Sequence, residues 1–342
     1  MDQETGLPIF YADSVSPFTP FPHHLPDAAA LQLDGKLREC RDLLFNRALQ
    51  LLCGDTLAAE YFIAFLFAKR EPASATMPLD GMRHVNFTLQ KMEDRKESMF
   101  SDISDLLASV SPFAFPLALT IESLNAATYV SSVADSGVLD PGLLQLPNET
   151  ILSIDETNLQ TGTLKEKGVE NITELKRIVD QGQQMIKIMF GQVFVAAPFG
   201  MMVLSEGKSL LNIETIVPVV PDRDSDPEAH AITSESDLDL LRQYMCTRVC
   251  QEYSIPKDLE EEITSSYVAR ASTAEGDADG PRRLLFDKQA GPEDLARGLE
   301  LARALSLSYG CAELSFEVLE KACAMERDRR ARCAAMKSDV AK

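Results

Sequence analysis

The stretch Ile151-Leu152-Ser153-Ile154-Asp155-Glu156 reads as a short strand closed by two carboxylates, too brief for a helix and bounded by turn residues. Runs of the same kind recur at Leu117 to Ile121, Leu143 to Leu146, Met185 to Phe190, Met202 to Ser205 and Ile213 to Val220. Upstream, Val85, Phe87 and Leu89 alternate as a half-buried strand would. Helical spacing separates the runs, over Glu93 to Ala108 and Ile172 to Gln184. Short strands spaced by helices predict an α/β protein in which helices surround a mostly parallel sheet.

On the N-terminal side, Leu37, Cys40, Leu44, Ala48, Leu51 and Leu52 follow helical spacing. Gly54-Asp55-Thr56 breaks the pattern and supplies a cap for Leu57 to Ala68, a helix apolar nearly all round and therefore buried. Residues 1–34 hold five prolines and the pair His23-His24, and predict an irregular lead-in. On the C-terminal side, Asp222 to Asp239 carries seven acidic residues and one Arg, a solvated spacer. Beyond it, Leu238 to Tyr253, Asp258 to Ala271, Pro292 to Tyr309 and Phe316 to Met336 predict four helices, with Gly291-Pro292 and Ser315 as starts and Gly310 as a stop. The chain therefore divides into the lead-in 1–34, an α/β core over 35–221, an acidic linker over 222–237, and an all-α bundle over 238–338 with a polar insert at 271–285.

Across 342 residues, 33 Lys plus Arg against 53 Asp plus Glu leave a net charge of −20. A surface of that sign repels phosphate backbones, so direct nucleic-acid binding is not expected. The longest apolar run, the 12 residues Val193 to Leu204, is interrupted by Pro198 and Gly200. A bilayer span needs about 20 apolar residues, so no membrane association is expected. Seven scattered cysteines read as reduced thiols inside the cell. No metal is expected either: Cys246 and Cys250 lie one helical turn apart without further ligands nearby, and His84 and His230 stand alone.

Two motifs carry candidate chemistry. In phosphoryl-transfer enzymes a strand ending in Asp-Glu sets the Asp near a magnesium-bound water and the Glu beside the attacking water. That is the functional reading of Asp155-Glu156, and the same pair is also a common turn onset. Gly207-Lys208-Ser209 matches the tail of a phosphate-binding loop, but Met202 stands where the loop needs its first Gly. A turn after a strand is the simpler reading.

Several segments occur in a telling order: Leu52-Cys-Gly-Asp-Thr-Leu-Ala-Ala-Glu-Tyr61, Gly142-Leu-Leu-Gln-Leu146, Ser153-Ile-Asp-Glu-Thr157, Gly168-Val-Glu-Asn-Ile172 and Leu204-Ser-Glu-Gly-Lys-Ser-Leu-Leu211. The series closely resembles the mini-chromosome maintenance (MCM) complex-binding protein family, from roughly Leu37 to Arg330. Longer members carry a further N-terminal half, so the resemblance implies either a short form without it or the product of an incompletely defined gene. The family in turn resembles a decayed MCM-type AAA+ ATPase module, which implies a degenerate AAA+-like core followed by a lid-like helical bundle.

On that resemblance, Gly54-Asp55 is what survives of a phosphate loop. The continuation Thr56-Leu57-Ala58-Ala59-Glu60 lacks the Lys that reaches phosphates and the hydroxyl that holds magnesium, and Glu60 adds like charge. Ile213 falls where an arginine finger is expected, and Glu293 where a phosphate-sensing lid Arg would stand. The resemblance thus implies a pseudo-ATPase without catalytic residues or cofactor, with Gly54, Asp55, Asp155 and Glu156 as vestigial pocket positions. It also implies a nuclear protein that binds MCM helicase subunits and meets chromatin only through them. Its expected role is to assist assembly or unloading of the replicative helicase during DNA replication and chromosome cohesion. The alternative is a divergent AAA+ ATPase with residual nucleotide binding at Gly54-Asp55 and Asp155-Glu156.

Overall fold

The computed structural model describes residues 36–68, 82–89, 96–133, 137–222, 235–250, 253–272 and 291–340. The lead-in with His23 and His24, His230 with most of the acidic linker, and nearly all of the insert at 271–285 lie outside the described residues.

In chain order the elements are α1 (Leu37–Leu51), α2 (Thr56–Phe67), β1 (His84–Leu89), α3 (Lys96–Val110), β2 (Ala114–Ala118), α4 (Ile121–Ala126), β3 (Ser131–Val133), β4 (Leu139–Asp140) and β5 (Ile151–Asp155). They continue with α5 (Glu166–Gln181), β6 (Gln183–Ile188), β7 (Gly191–Ala196), β8 (Gly200–Ser205), β9 (Ile216–Val219), α6 (Glu235–Cys250), α7 (Lys257–Ser272), α8 (Pro292–Ser308) and α9 (Phe316–Val340).

Five strands form a wholly parallel sheet in the order β2-β5-β8-β1-β9, as the recurrence of short apolar runs between helices predicts. The chain leaves β1 for the far edge at β2, steps back through β5 and β8, and lands on the other side of β1 as β9. Both faces are covered. Val85, Phe87, Leu89, Met202, Leu204, Val217 and Val219 enter a core shared with α1, α2, α3 and the C-terminal helices. Leu117, Leu152, Ile154, Met201 and Val203 enter a second core with α5. Hence β1 is buried at every position, where alternation suggested half-burial: Asn86 and Thr88 occupy the second face of a central strand.

Each edge of this sheet carries a proline where a backbone N–H would otherwise point outward. Phe113 O pairs with Ile151 N, so the alternate Pro116 of β2 turns away from β5. Asn86 N pairs with Thr215 O, so Ile216 and Pro218 of β9 turn outward, and Arg329 and Arg332 of α9 donate to their carbonyls at 3.1 Å each. Missing donors and capped carbonyls leave little for another strand to pair with.

Four strands make a second sheet in the order β4-β3-β6-β7, with β6 and β7 an antiparallel hairpin packed on α5. Sequence reading anticipated β6 but not β7, and it placed a short strand at Leu143 to Leu146. That stretch is a turn, and its apolarity reflects Leu144 filling the second core. The C-terminal helices pack back on the first half of the chain, α8 against α2, α9 against β9, and α6 against α1 and α3. As expected, Pro292 opens α8 and Gly310, at φ 75°, ends it. No helix among the described residues is long and apolar enough to cross a membrane.

Candidate functional site

Open parallel sheets bind ligands outside the carboxyl ends of their strands, and Asp155-Glu156 stands at that edge, at the end of β5. Both side chains are buried. Asp155 Oδ1 accepts from Thr157 N at 2.9 Å and Thr157 Oγ1 at 2.6 Å, closing a local turn. Glu156 is held by the loop after β8: Ser209 Oγ donates to Oε1 and Leu210 N to Oε2, each at 3.1 Å. Burial raises the Glu156 pKa above its ordinary value, against the pull of those two donors.

The two motifs that looked separate in the sequence therefore meet, because β5 and β8 are neighbours. Ser209 of the Gly207-Lys208-Ser209 turn serves the Glu156 carboxylate. Beside them, Ser205 Oγ lies 3.0 Å from Asn86 Oδ1 and 3.1 Å from the Gly207 carbonyl oxygen, so the polar atoms at this end of the sheet are largely paired with one another.

Gly54 and Asp55 lie elsewhere on the same edge. They form the turn between α1 and α2, not a loop between strand and helix, and Cys53 and Gly54 take φ values of 56° and 81° to make it. Asp55 Oδ1 caps α2 by accepting from Leu57 N and Ala58 N, while Oδ2 accepts from Val220 N at 2.8 Å and Arg332 Nη1 at 2.5 Å. Three strand spacings, about 14 Å, separate the ends of β5 and β9. Asp55 thus does not share a pocket wall with Asp155. Glu60, a turn further along α2, faces two cations, Arg41 Nη2 and Lys321 Nζ, each at 2.6 Å.

Ile213 is buried in the second core, and its neighbour Glu214 pairs with Arg297 of α8 at 2.8 Å. The Glu293 side chain lies outside the described residues, as does that of Cys250. Buried His84 accepts from Met201 N at Nδ1. Among the described residues, no group of three His, Cys, Asp or Glu side chains is arranged to hold a metal ion.

The other shared segments resolve into joints of the second core. Gly142 sits where a Cβ would come within 2.2 Å of the Tyr129 carbonyl oxygen. Asn171, from the Gly168 segment, donates from Nδ2 to Leu124 O and Ala127 O at 2.8 Å each and accepts from Tyr129 N at 3.1 Å. Sequence reasoning did not single out Asn171, which falls one residue before the helix it predicted over Ile172 to Gln184; the observed helix starts earlier, at Glu166.

Fold and site together define an α/β protein with a parallel sheet, a C-terminal helical region, and sheet-end carboxylates engaged by internal donors. The chain belongs to the mini-chromosome maintenance replisome factor family, whose model matches residues 11–333. It is 30% identical to the mini-chromosome maintenance complex-binding protein of Arabidopsis thaliana over 90% of this chain and 49% of that protein. The proteins of the same description from Homo sapiens and Drosophila melanogaster are 29% and 25% identical, over 82% and 84% of this chain. The chain spans about half the length of these relatives or less, 49%, 42% and 46% respectively.

Proposed function

We propose that this protein binds the MCM complex as a non-catalytic partner, acting in the nucleus on the assembly or unloading of the replicative helicase, and through it on DNA replication and chromosome cohesion. The observation that carries the reading is family membership across nearly the whole chain, with relatives that bear the name MCM complex-binding protein.

The decayed-ATPase reading of the core has its own support. β1 is the strand around which the crossovers reverse, and the crevice at its carboxyl end is where such a sheet accepts phosphates. The connection there, residues 90–95, reads Gln-Lys-Met-Glu-Asp-Arg, without a glycine whose backbone could wrap a phosphate. Two strands away, at the end of β5, Asp155 and Glu156 already hold two donors each. A relative of an ATPase subunit that keeps the shape and loses the chemistry can occupy a neighbour's place in a ring without firing.

The test is a titration of the purified chain with MCM complex and, separately, with ATP and magnesium. Saturable binding of the complex with no heat of nucleotide binding is the expected outcome. Nucleotide binding abolished by Asp155→Asn would establish the divergent ATPase instead.

A further inference from the structure

The exposed large hydrophobic side chains of the described residues are not scattered. Seven of eleven belong to the second sheet or its approaches, among them Leu139, Ile188, Met189, Phe190, Val193 and Phe194. Phe190 is the extreme case, 93% exposed at the β6–β7 turn. Singly exposed apolar residues are ordinary, but a cluster of this size on one element marks an interaction surface.

Among the described residues, the hairpin is anchored from the α5 side. Register places Met185, Phe194 and Lys187 on the face toward α5. There Glu174 accepts from Met185 N, Glu170 pairs with Lys187 at 2.5 Å, and the Arg177 guanidinium lies 4.8 Å over the Phe194 ring. The opposite face presents Ile186, Ile188, Val193 and Val195, continued across β3 and β4 by Val133 and Leu139. Every one of these six is intermediate or exposed, and none belongs to either core. A β-branched surface held rigid from behind loses little entropy when it is covered.

Charge narrows the occupant. From Gln183 to Ala196 the only charged residue is Lys187 and there is no acid, in a chain with 53 Asp plus Glu and a net charge of −20. One lysine does not hold a nucleic acid. A second copy would bring its own −20 toward the first. An uncharged tip within an acidic field is complementary to an apolar recess with a basic rim.

We propose that the outer face of the β6–β7 hairpin, with Phe190 at its tip, docks into an apolar recess ringed by Lys and Arg on a folded protein. This rests on the partner-binding reading above, which makes that protein an MCM subunit. The test compares the parent with Phe190→Ser/Val193→Thr for affinity toward purified MCM complex at low and at moderate salt. The double variant is expected to bind at least tenfold more weakly with an unchanged melting temperature, while Phe316→Ser, exposed but remote from this sheet, binds within twofold of the parent. Parent affinity is expected to fall as salt is added. Should the double variant unfold, Phe190→Ser alone gives the same readout, because that side chain makes no core contact. Equal binding by parent and hairpin variant overturns the docking surface and leaves the partner reading standing. A parent that does not bind overturns both. A dimer of the parent in sedimentation that the variant abolishes assigns the face to a second copy and overturns the proposal.

Discussion

Arg332 Nη1 stands 2.5 Å from Asp55 Oδ2, an ion pair that joins the last helix to the turn before α2 across 277 residues of chain. The same carboxylate caps α2 and receives the N–H of Val220, so four donors converge on a side chain 1% exposed. This node fastens the N-terminal helical pair, the edge strand β9 and the C-terminal helix at one point. A second tie runs parallel to it, where Tyr61 OH and Arg329 both donate to Glu326.

Removing Asp55 therefore costs more than removing its cation. Asp55→Ala loses a cap and takes their carboxylate partner from the Val220 N–H and the Arg332 guanidinium, for about 2–4 kcal/mol. Arg332→Met leaves the carboxylate with three backbone donors and costs about 1–2 kcal/mol. Denaturant unfolding of both variants and of the double variant checks this. Equal costs for the two single changes would mean that the cap and the Val220 contact contribute nothing.

How far the sequence disclosed these relationships follows from what is local and what is not. The Asp55 cap was legible because Leu57 and Ala58 follow it directly; Val220 and Arg332 were not, because only the fold brings them there. Asp155-Glu156 and Gly207-Ser209 each stood out, yet their union depends on β5 lying beside β8. β5 and β8 announced themselves as apolar runs since both of their faces are buried. β7 did not, because its side chains neither alternate in polarity nor enter a core.

Asn171 is the joint on which the second core depends. Asn171→Ala takes this partner from backbone groups at Leu124, Ala127 and Tyr129, the first and last of them buried, a loss of about 2–3 kcal/mol. Asn171→Asp keeps the acceptor for Tyr129 but turns an oxygen toward two carbonyls, so its penalty grows with pH as the carboxyl ionises. Melting temperatures at pH 5 and pH 8 separate the two variants; a pH-independent Asn171→Asp would contradict this geometry.

Two glycines answer to different constraints. An Ala Cβ at Gly142 would meet the Tyr129 carbonyl oxygen at 2.2 Å, and backbone cannot swing aside. At Gly310, with φ 75°, the Cβ meets only the end of the Leu37 side chain at 2.5 Å. Gly310→Ala should then cost about 1–2 kcal/mol for left-handed backbone, and Gly142→Ala more. The ranking, read from urea midpoints, is the measurement; the reverse order would show that the Tyr129 loop relaxes freely.

Two buried carboxylates should drive stability in opposite directions with pH. For Glu326, burial alone would raise the pKa, but the hydrogen bonds and charge of Arg329 outweigh it and hold the group below its ordinary value of 4.5. An acid with a depressed folded pKa contributes stability that is complete above its unfolded pKa and lost as pH falls through the folded value. The advantage of the parent over Glu326→Gln should therefore be full at neutral pH and shrink in acid. Glu156 is raised above 4.5, mainly by burial, so its contribution is complete below that pH and lost as pH rises through the folded value. The parent should consequently lose ground to Glu156→Gln as pH climbs from 4 toward 8. Urea midpoints of the three proteins across that range and down to pH 3 decide the matter, and difference curves of the same sign would refute the assignment for one of the two carboxylates.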